Sequence, residues 1–135
     1  MRLRNLALRL ECLLALGAAA AVFRCAPARA NRWALRALRA PAAARRGAPE
    51  VPARAVGRYL AWSARLLPRT TCLASALAGA AVLRRHGLPA ELRLSNETGG
   101  PGREFTAHAW VESGGVVVVG RAGTGPAFSF PASPP

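Results

Sequence analysis

TTCLASALAGAAVLRRHG, residues 70–87, is the stretch on which the reading of this chain turns. Thr70 or Thr71 can cap a helix N-terminus, small and apolar residues fill the body, and Gly87 follows as a C-terminal stop. Cys72 falls in the first turn, where unpaired backbone N–H groups and the helix dipole favour a thiolate, the reactive form of cysteine. A lone cysteine is otherwise a small buried hydrophobe, so position alone does not make it a nucleophile. His86, directly before Gly87, sits where a cation suits the helix C-terminus and reads as structural.

Downstream, Leu88-Pro89 breaks the chain and AELRL (Ala90 to Leu94) alternates as a strand does. SNETGGPG, residues 95–102, has the composition of a loop. REFTAHAWVE, residues 103–112, alternates again, and SGG at 113–115 is a hairpin turn into VVVVG. Alternation places Phe105, Ala107, Ala109 and Val111 on the core side of that strand, with Thr106, His108, Trp110 and Glu112 on the other. From Arg121 to Pro135 the chain, with four prolines, is expected to be loosely structured. A helix opening with cysteine, then a strand, then a histidine-bearing strand in a hairpin, is the layout of a papain-like or transglutaminase-like core. In that layout the helix N-terminus abuts the sheet, so thiol and imidazole meet although 36 residues separate them in sequence.

Upstream, Ala53 to Leu67 has helical periodicity, with Val56, Tyr59, Leu60, Ser63 and Leu67 on one stripe, and Pro68 ends it. Pro41 to Pro52 is a proline-rich linker, and Asn31 to Ala40 is a short Arg-bearing helix. Residues 1–25 form an Arg-flanked apolar helix whose uninterrupted apolar run, Cys12 to Phe23, is 12 residues long. A bilayer span needs about 20. Ala28-Arg29-Ala30 would suit a signal-peptide cleavage site. Glu11 interrupts that pattern, however, and Leu3, Leu6, Leu10, Leu13 and Leu14 recur at helical spacing, so an amphipathic or buried helix is preferred. The chain thus divides into a helical Arg-rich lead-in and linker (1–52), a core (53–120) and a proline-rich tail (121–135).

The 135 residues allow one domain. All 19 basic residues are arginine, and there is no aspartate. Residues 1–70 hold 14 Arg against Glu11 and Glu50, while residues 71–135 hold 5 Arg against 4 Glu, so the charge belongs to the first half. A GC-rich coding bias accounts for the arginine excess, yet the charge is physically present whatever its origin. Cys12, Cys25 and Cys72 have no CxxC spacing and the chain has two histidines, which disfavours a disulfide framework and a metal site. No cofactor is expected. Nucleic acid is disfavoured because no motif or aromatic–basic interleaving accompanies the charge. A membrane contact through the N-terminal helix is the less favoured reading.

LLPRTTCLASALAGAAVLRRHGLPAELRL followed by FTAHAWVESGG resembles the stand-alone leader peptidase of lasso peptide biosynthesis, a member of the transglutaminase-like superfamily. The resemblance rests on Cys72-Leu73 heading a small-residue helix with Ala76-Leu77, the helix end Leu83 to Gly87, the strand start Leu88 to Leu92, and His-Ala-Trp-Val-Glu at 108–112. It covers residues 58–120. It implies an α+β, transglutaminase-like cysteine peptidase core with an N-terminal helical lead-in, in which Cys72 is the nucleophile and His108 the general base. It further implies a cytoplasmic natural-product maturation enzyme that removes the leader of a ribosomally made precursor peptide. Its partners would be a separate leader-recognition protein and an ATP-dependent lasso cyclase, with the basic N-terminal half as a docking surface.

One feature departs from that pattern. The superfamily often holds the histidine with an aspartate on the next strand, yet here the residues opposite His108 fall at Val119 to Arg121. Glu112 shares the His108 face but lies about 13 Å along the strand. A carbonyl or water could orient the ring, Glu97 or Glu104 could fold back, or the site could work as a Cys-His dyad. Two other readings follow: a weak or inactive scaffold for the precursor and its maturation partners, and a secreted or membrane-bound basic protein.

Overall fold

The computed structural model describes residues 2–30, 32, 36, 51–98, 102, 105–123 and 127–130. The linker at 41–50 and most of the helix expected at 31–40 lie outside the described residues. Among the described residues, helices α1 (Arg2–Cys25), α2 (Ala53–Leu66) and α3 (Cys72–Arg85), with further helical residues at 27–30, 32 and 36, precede strands β1 (Glu91–Thr98), β2 (Phe105–Ser113), β3 (Val116–Val119) and β4 (Ala127–Phe130). The strands form one sheet in the order β3-β2-β1-β4, and every neighbouring pair is antiparallel.

α3 is the centre of the molecule because its sequence is apolar on every side. Ala74, Ala76, Leu77, Ala78, Gly79, Ala80, Val82 and Leu83 are all buried, and the helix touches both other helices and strands β1, β2 and β3. Its ends are closed by local chemistry. Thr71 Oγ1 accepts the Ala74 N–H at 3.1 Å. At the far end Gly87 takes φ 73°. There the Gly87 N–H reaches the Arg84 carbonyl and the Leu88 N–H the Leu83 carbonyl, both at 2.9 Å, the paired bonds of a Schellman stop. Arg84 Nη2 donates to the Ala90 carbonyl at 3.4 Å, tying the helix end to the start of β1.

α2 buries Val56, Tyr59, Leu60 and Ser63 as its periodicity requires. It ends at Leu66, with Leu67 already extended before Pro68, which has no N–H to continue a helix. Two glycines let the helices close on β3. A Cβ on Gly57 would overlap the Val118 carbonyl, and one on Gly79 would lie 2.6 Å from Val119 Cγ2.

α1 is longer than its uninterrupted apolar run and, by length and composition, is the one helix among the described residues able to cross a membrane. Its Leu8, Cys12, Leu16 and Ala19 are nevertheless buried in the common core with α2 and α3. Arg9 lies over the Tyr59 ring, 5.1 Å from its centroid.

Two segments differ from their sequence reading. The loop expected from Ser95 is strand as far as Thr98, paired in unbroken register with His108 back to Phe105. The tail expected to be loose contains β4, paired with Leu92 to Ser95. In both cases backbone pairing outweighs a composition rich in Ser, Asn, Gly and Pro, because strand formation depends on non-local partners. The β2–β3 turn is the one expected: Gly114 and Gly115 have φ 59° and 80°, the positive pair that a two-residue hairpin requires.

Candidate active site

Cys72 is the first residue of α3. The first intrahelical bond here runs from the Ser75 N–H to the Thr71 carbonyl, so the Cys72 and Leu73 amides precede the ladder, as in any first turn. The thiol is exposed and in no disulfide, with Sγ 3.8 Å from the Ala107 carbonyl on β2. The turn leading in is fixed by Pro68 and by Arg69, which adopts φ 61°. A non-glycine residue pays about 1 kcal/mol for that left-handed conformation.

His108 is the next residue along β2. Cys72 and His108 line one cavity of about 500 Å³, together with Thr71 and Ser75 at the start of α3, Leu60 of α2, and Arg121 beyond β3. The group opposite His108 is a main-chain carbonyl. His108 Nε2 lies 2.7 Å from the Arg121 oxygen. A carbonyl can only accept, so Nε2 carries the hydrogen and the lone pair of the neutral ring is left on Nδ1. A bulge at Val111/Glu112 shifts the β2–β3 register and sets which carbonyl arrives there.

The face of β2 that carries His108 is a continuous polar ladder. Trp110 stacks on the His108 ring with centroids 6.0 Å apart and planes at 28°. Its indole N–H donates to Glu112 Oε1 at 3.0 Å, and Glu112 Oε2 pairs with Arg93 Nη2 at 3.2 Å. Trp110 is buried and backs the histidine, and both faces of the strand are covered at this position. Glu112 is bonded to Trp110 and Arg93 and not to His108. Directly across on β1, Ser95 pairs with His108; it is fully buried, and its Oγ has no hydrogen-bond partner among the described residues. Neither Ser95 nor Arg93 was marked by the sequence, because their place opposite residues 108 and 110 depends on the hairpin register.

The other titratable groups lie away from this cavity. His86 Nε2 is 2.9 Å from Glu11 Oε2 and Arg85 Nε is 3.3 Å from Glu11 Oε1, so α1 is ionically tied to the end of α3. Burial, with a smaller contribution from Glu11, pushes the Cys12 thiol up to about 12, and Cys12 Sγ points at the Val56 carbonyl 4.0 Å away. Burial also lowers the Arg84 guanidinium from its ordinary value. Among the described residues no three His, Cys, Asp or Glu side chains cluster closely enough to hold a metal ion.

The order of helix and strands, with a cysteine heading the helix and a histidine on the second strand, is that of a thiol-bearing α+β domain. The chain belongs to the transglutaminase-like superfamily, whose sequence pattern it matches over residues 12–130. That match takes in most of α1 at one end and β4 at the other. The superfamily includes cysteine peptidases and transferases. No curated protein and no solved structure matches the chain.

Proposed function

We propose that this protein is a cysteine peptidase that removes the leader from a ribosomally made precursor during lasso peptide maturation, with Cys72 as nucleophile and His108 as general base. The observation that carries the chemistry is the His108 Nε2 bond to the Arg121 carbonyl in a cavity that also holds Cys72. It supplies the tautomer a base needs and gives Nε2 a neutral acceptor where the superfamily often has an aspartate. Nδ1 takes the Cys72 proton, and the thiolate attacks the scissile carbonyl carbon. The resulting oxyanion lies within reach of the Cys72 amide at the helix start. Collapse expels the amine, which receives the proton from Nδ1, and leaves a thioester. Water, deprotonated by Nδ1, then releases the acid and restores the thiol. A carbonyl holds the ring but stabilises imidazolium less than a carboxylate does, so slow turnover follows.

The precursor, the leader-recognition protein and the ATP-dependent cyclase belong to this reading through the sequence resemblance, as does a cytoplasmic location. A second reading, a scaffold that binds the precursor without cleaving it, is favoured by the Cys72 Sγ contact with the Ala107 carbonyl; the chain has no aspartate to hold His108, and the Glu97 side chain and Glu104 lie outside the described residues.

Labelling with a thiol reagent across pH separates the two. A peptidase has one thiol that reacts fast near neutrality, is lost in Cys72→Ala and slows in His108→Ala, with Cys25→Ser as the background for the other exposed thiol. Reaction of Cys72 no faster than a free thiol, and indifferent to His108, would sink the peptidase reading and leave the scaffold. Cleavage of precursor peptides by the reactive form then tests the substrate.

A further inference from the structure

α1 has two apolar faces, and the domain uses one. Leu8, Cys12, Leu16 and Ala19 point into the core. Leu3, Leu6, Leu10 and Leu14 are 82, 62, 54 and 63 % exposed. Their spacing of three, four and four residues keeps them on one stripe, about 16 Å long at the helical rise. The stripe has arginine on both sides. Arg9 lies toward α2, over Tyr59, and Arg85 of α3, its side chain 78 % exposed, lies on the other. Arg2 adds charge at the helix start. The one acid of α1, Glu11, is largely buried; Oε2 meets His86, and Oε1 lies in ion-pair range of Arg85 without a hydrogen bond.

We infer that this stripe is a membrane-surface contact, on which the domain rests against an anionic bilayer with the four leucines inserted and the flanking arginines at the lipid phosphates. The charge pattern selects an anionic surface, because Arg2 and Arg9 of α1 and Arg85 of α3 lie beside the leucines, while Glu11, the one acid of the helix, is already paired. The shape selects a bilayer over a partner helix. The cavity between α1 and α3 takes in Leu10 and Leu14 but leaves Leu3 and Leu6 outside it, whereas a flat apolar layer receives all four. α1 is long enough to span, but spanning would strip Cys12 and Leu16 from the core and break the Glu11 pairs, so the helix lies in the plane of the interface. This contact is independent of the peptidase chemistry.

The test is co-sedimentation of the purified full-length protein with phosphatidylcholine vesicles, with and without phosphatidylglycerol. The protein should pellet with the anionic vesicles, less at high salt, and weakly with phosphatidylcholine alone. Leu6→Glu/Leu10→Glu should reduce binding about tenfold or more, with circular dichroism unchanged because both sites face solvent. Leu3→Ser/Leu14→Ser should do the same by removing apolar area without adding charge. Absence of anionic-vesicle binding, or binding that both variants leave intact, would overturn the inference. So would resistance to alkaline carbonate extraction, which marks a span, or a wild-type dimer that the leucine variants dissociate, which marks a second copy on the stripe.

Discussion

α3 carries a residue of chemical interest at each end, and the two ends are treated in opposite ways. At the start, Cys72 stands exposed in the first turn, facing a cavity, with a histidine whose outer nitrogen is held by a backbone carbonyl. At the finish, His86 is half-buried against α1 with its nitrogen on Glu11, and Gly87 seals the helix. Both histidines are anchored. One is anchored to the main chain beyond β3, the other to the acid of a neighbouring helix. Two of the helical thiols divide likewise: Cys12 is fully buried, and burial makes its ionisation costly, while Cys72 is exposed. Residue type proposes chemistry, and the surroundings decide it.

The sharpest way to break this contrast is to remove one group from each end. Cys72→Ala should abolish cleavage, and His108→Ala should lower single-turnover cleavage about a thousandfold. The double variant should be no slower than Cys72→Ala, because the pair acts as a unit. Thermal stability should change little for Cys72→Ala, whose side chain is exposed. An equal loss of cleavage in His86→Ala, measured on folded protein, would erase the distinction between the ends.

Next in size is Gly57→Ala. Its Cβ has to displace the backbone of β3 at Val118, which should cost about 3 kcal/mol in denaturant unfolding, at the upper end of overpacking penalties. It should also disturb the Arg121 carbonyl three residues further on. Gly79→Ala meets the Val119 and Leu60 side chains instead, and should cost less because side chains can turn aside.

Cys12 gives a pH signature. Its folded-state value, about 12, is above the ordinary 9.0, so the unfolded chain loses that proton first. The thiol's contribution to stability is therefore complete below pH 9.0 and is lost as pH rises toward 12. Cys12→Ala should flatten that alkaline limb in unfolding curves, whereas Cys72→Ala should leave it as it is.

Glu11→Gln, which weakens the tie between α1 and α3, should cost about 1 kcal/mol with cleavage per folded molecule unchanged. Smallest is Ser95→Ala. Removing a buried hydroxyl that has no partner should be neutral or slightly stabilising, by up to about 1 kcal/mol. A loss of stability instead would mean that the hydroxyl is bonded in solution.

The parts of this molecule that can be read from the chain are those whose causes are local. Thr71 and Gly87 mark the ends of α3 because a cap needs a side-chain oxygen three residues from an amide, and a stop needs a residue tolerant of positive φ. Gly114-Gly115 marks the hairpin for the same reason. That Cys72 and His108 line one cavity is legible because both sit on elements whose layout resembles a known core. The continuation of β1 to Thr98 and the existence of β4 are not legible, since Ser95, Asn96 and Pro126 argue locally against strand and only a partner strand argues for it. Glu112 can be placed on the right face of β2, yet its link to His108 through Trp110 emerges only when the indole is seen stacked on the ring.

By itself the sequence determined the class of fold, the placement of Cys72 and His108 on their elements and the shape of α3, because capping, periodicity and turn chemistry act over a few residues. Tertiary structure alone decided what holds His108. The β2–β3 register and its bulge bring the Arg121 carbonyl to Nε2, and a backbone carbonyl belongs to every residue and so leaves no mark in the amino-acid code. It also decided that Glu11 faces inward, because the orientation of a helix about its own axis is fixed by what it packs against. That rotation is what leaves four leucines of α1 facing the solvent.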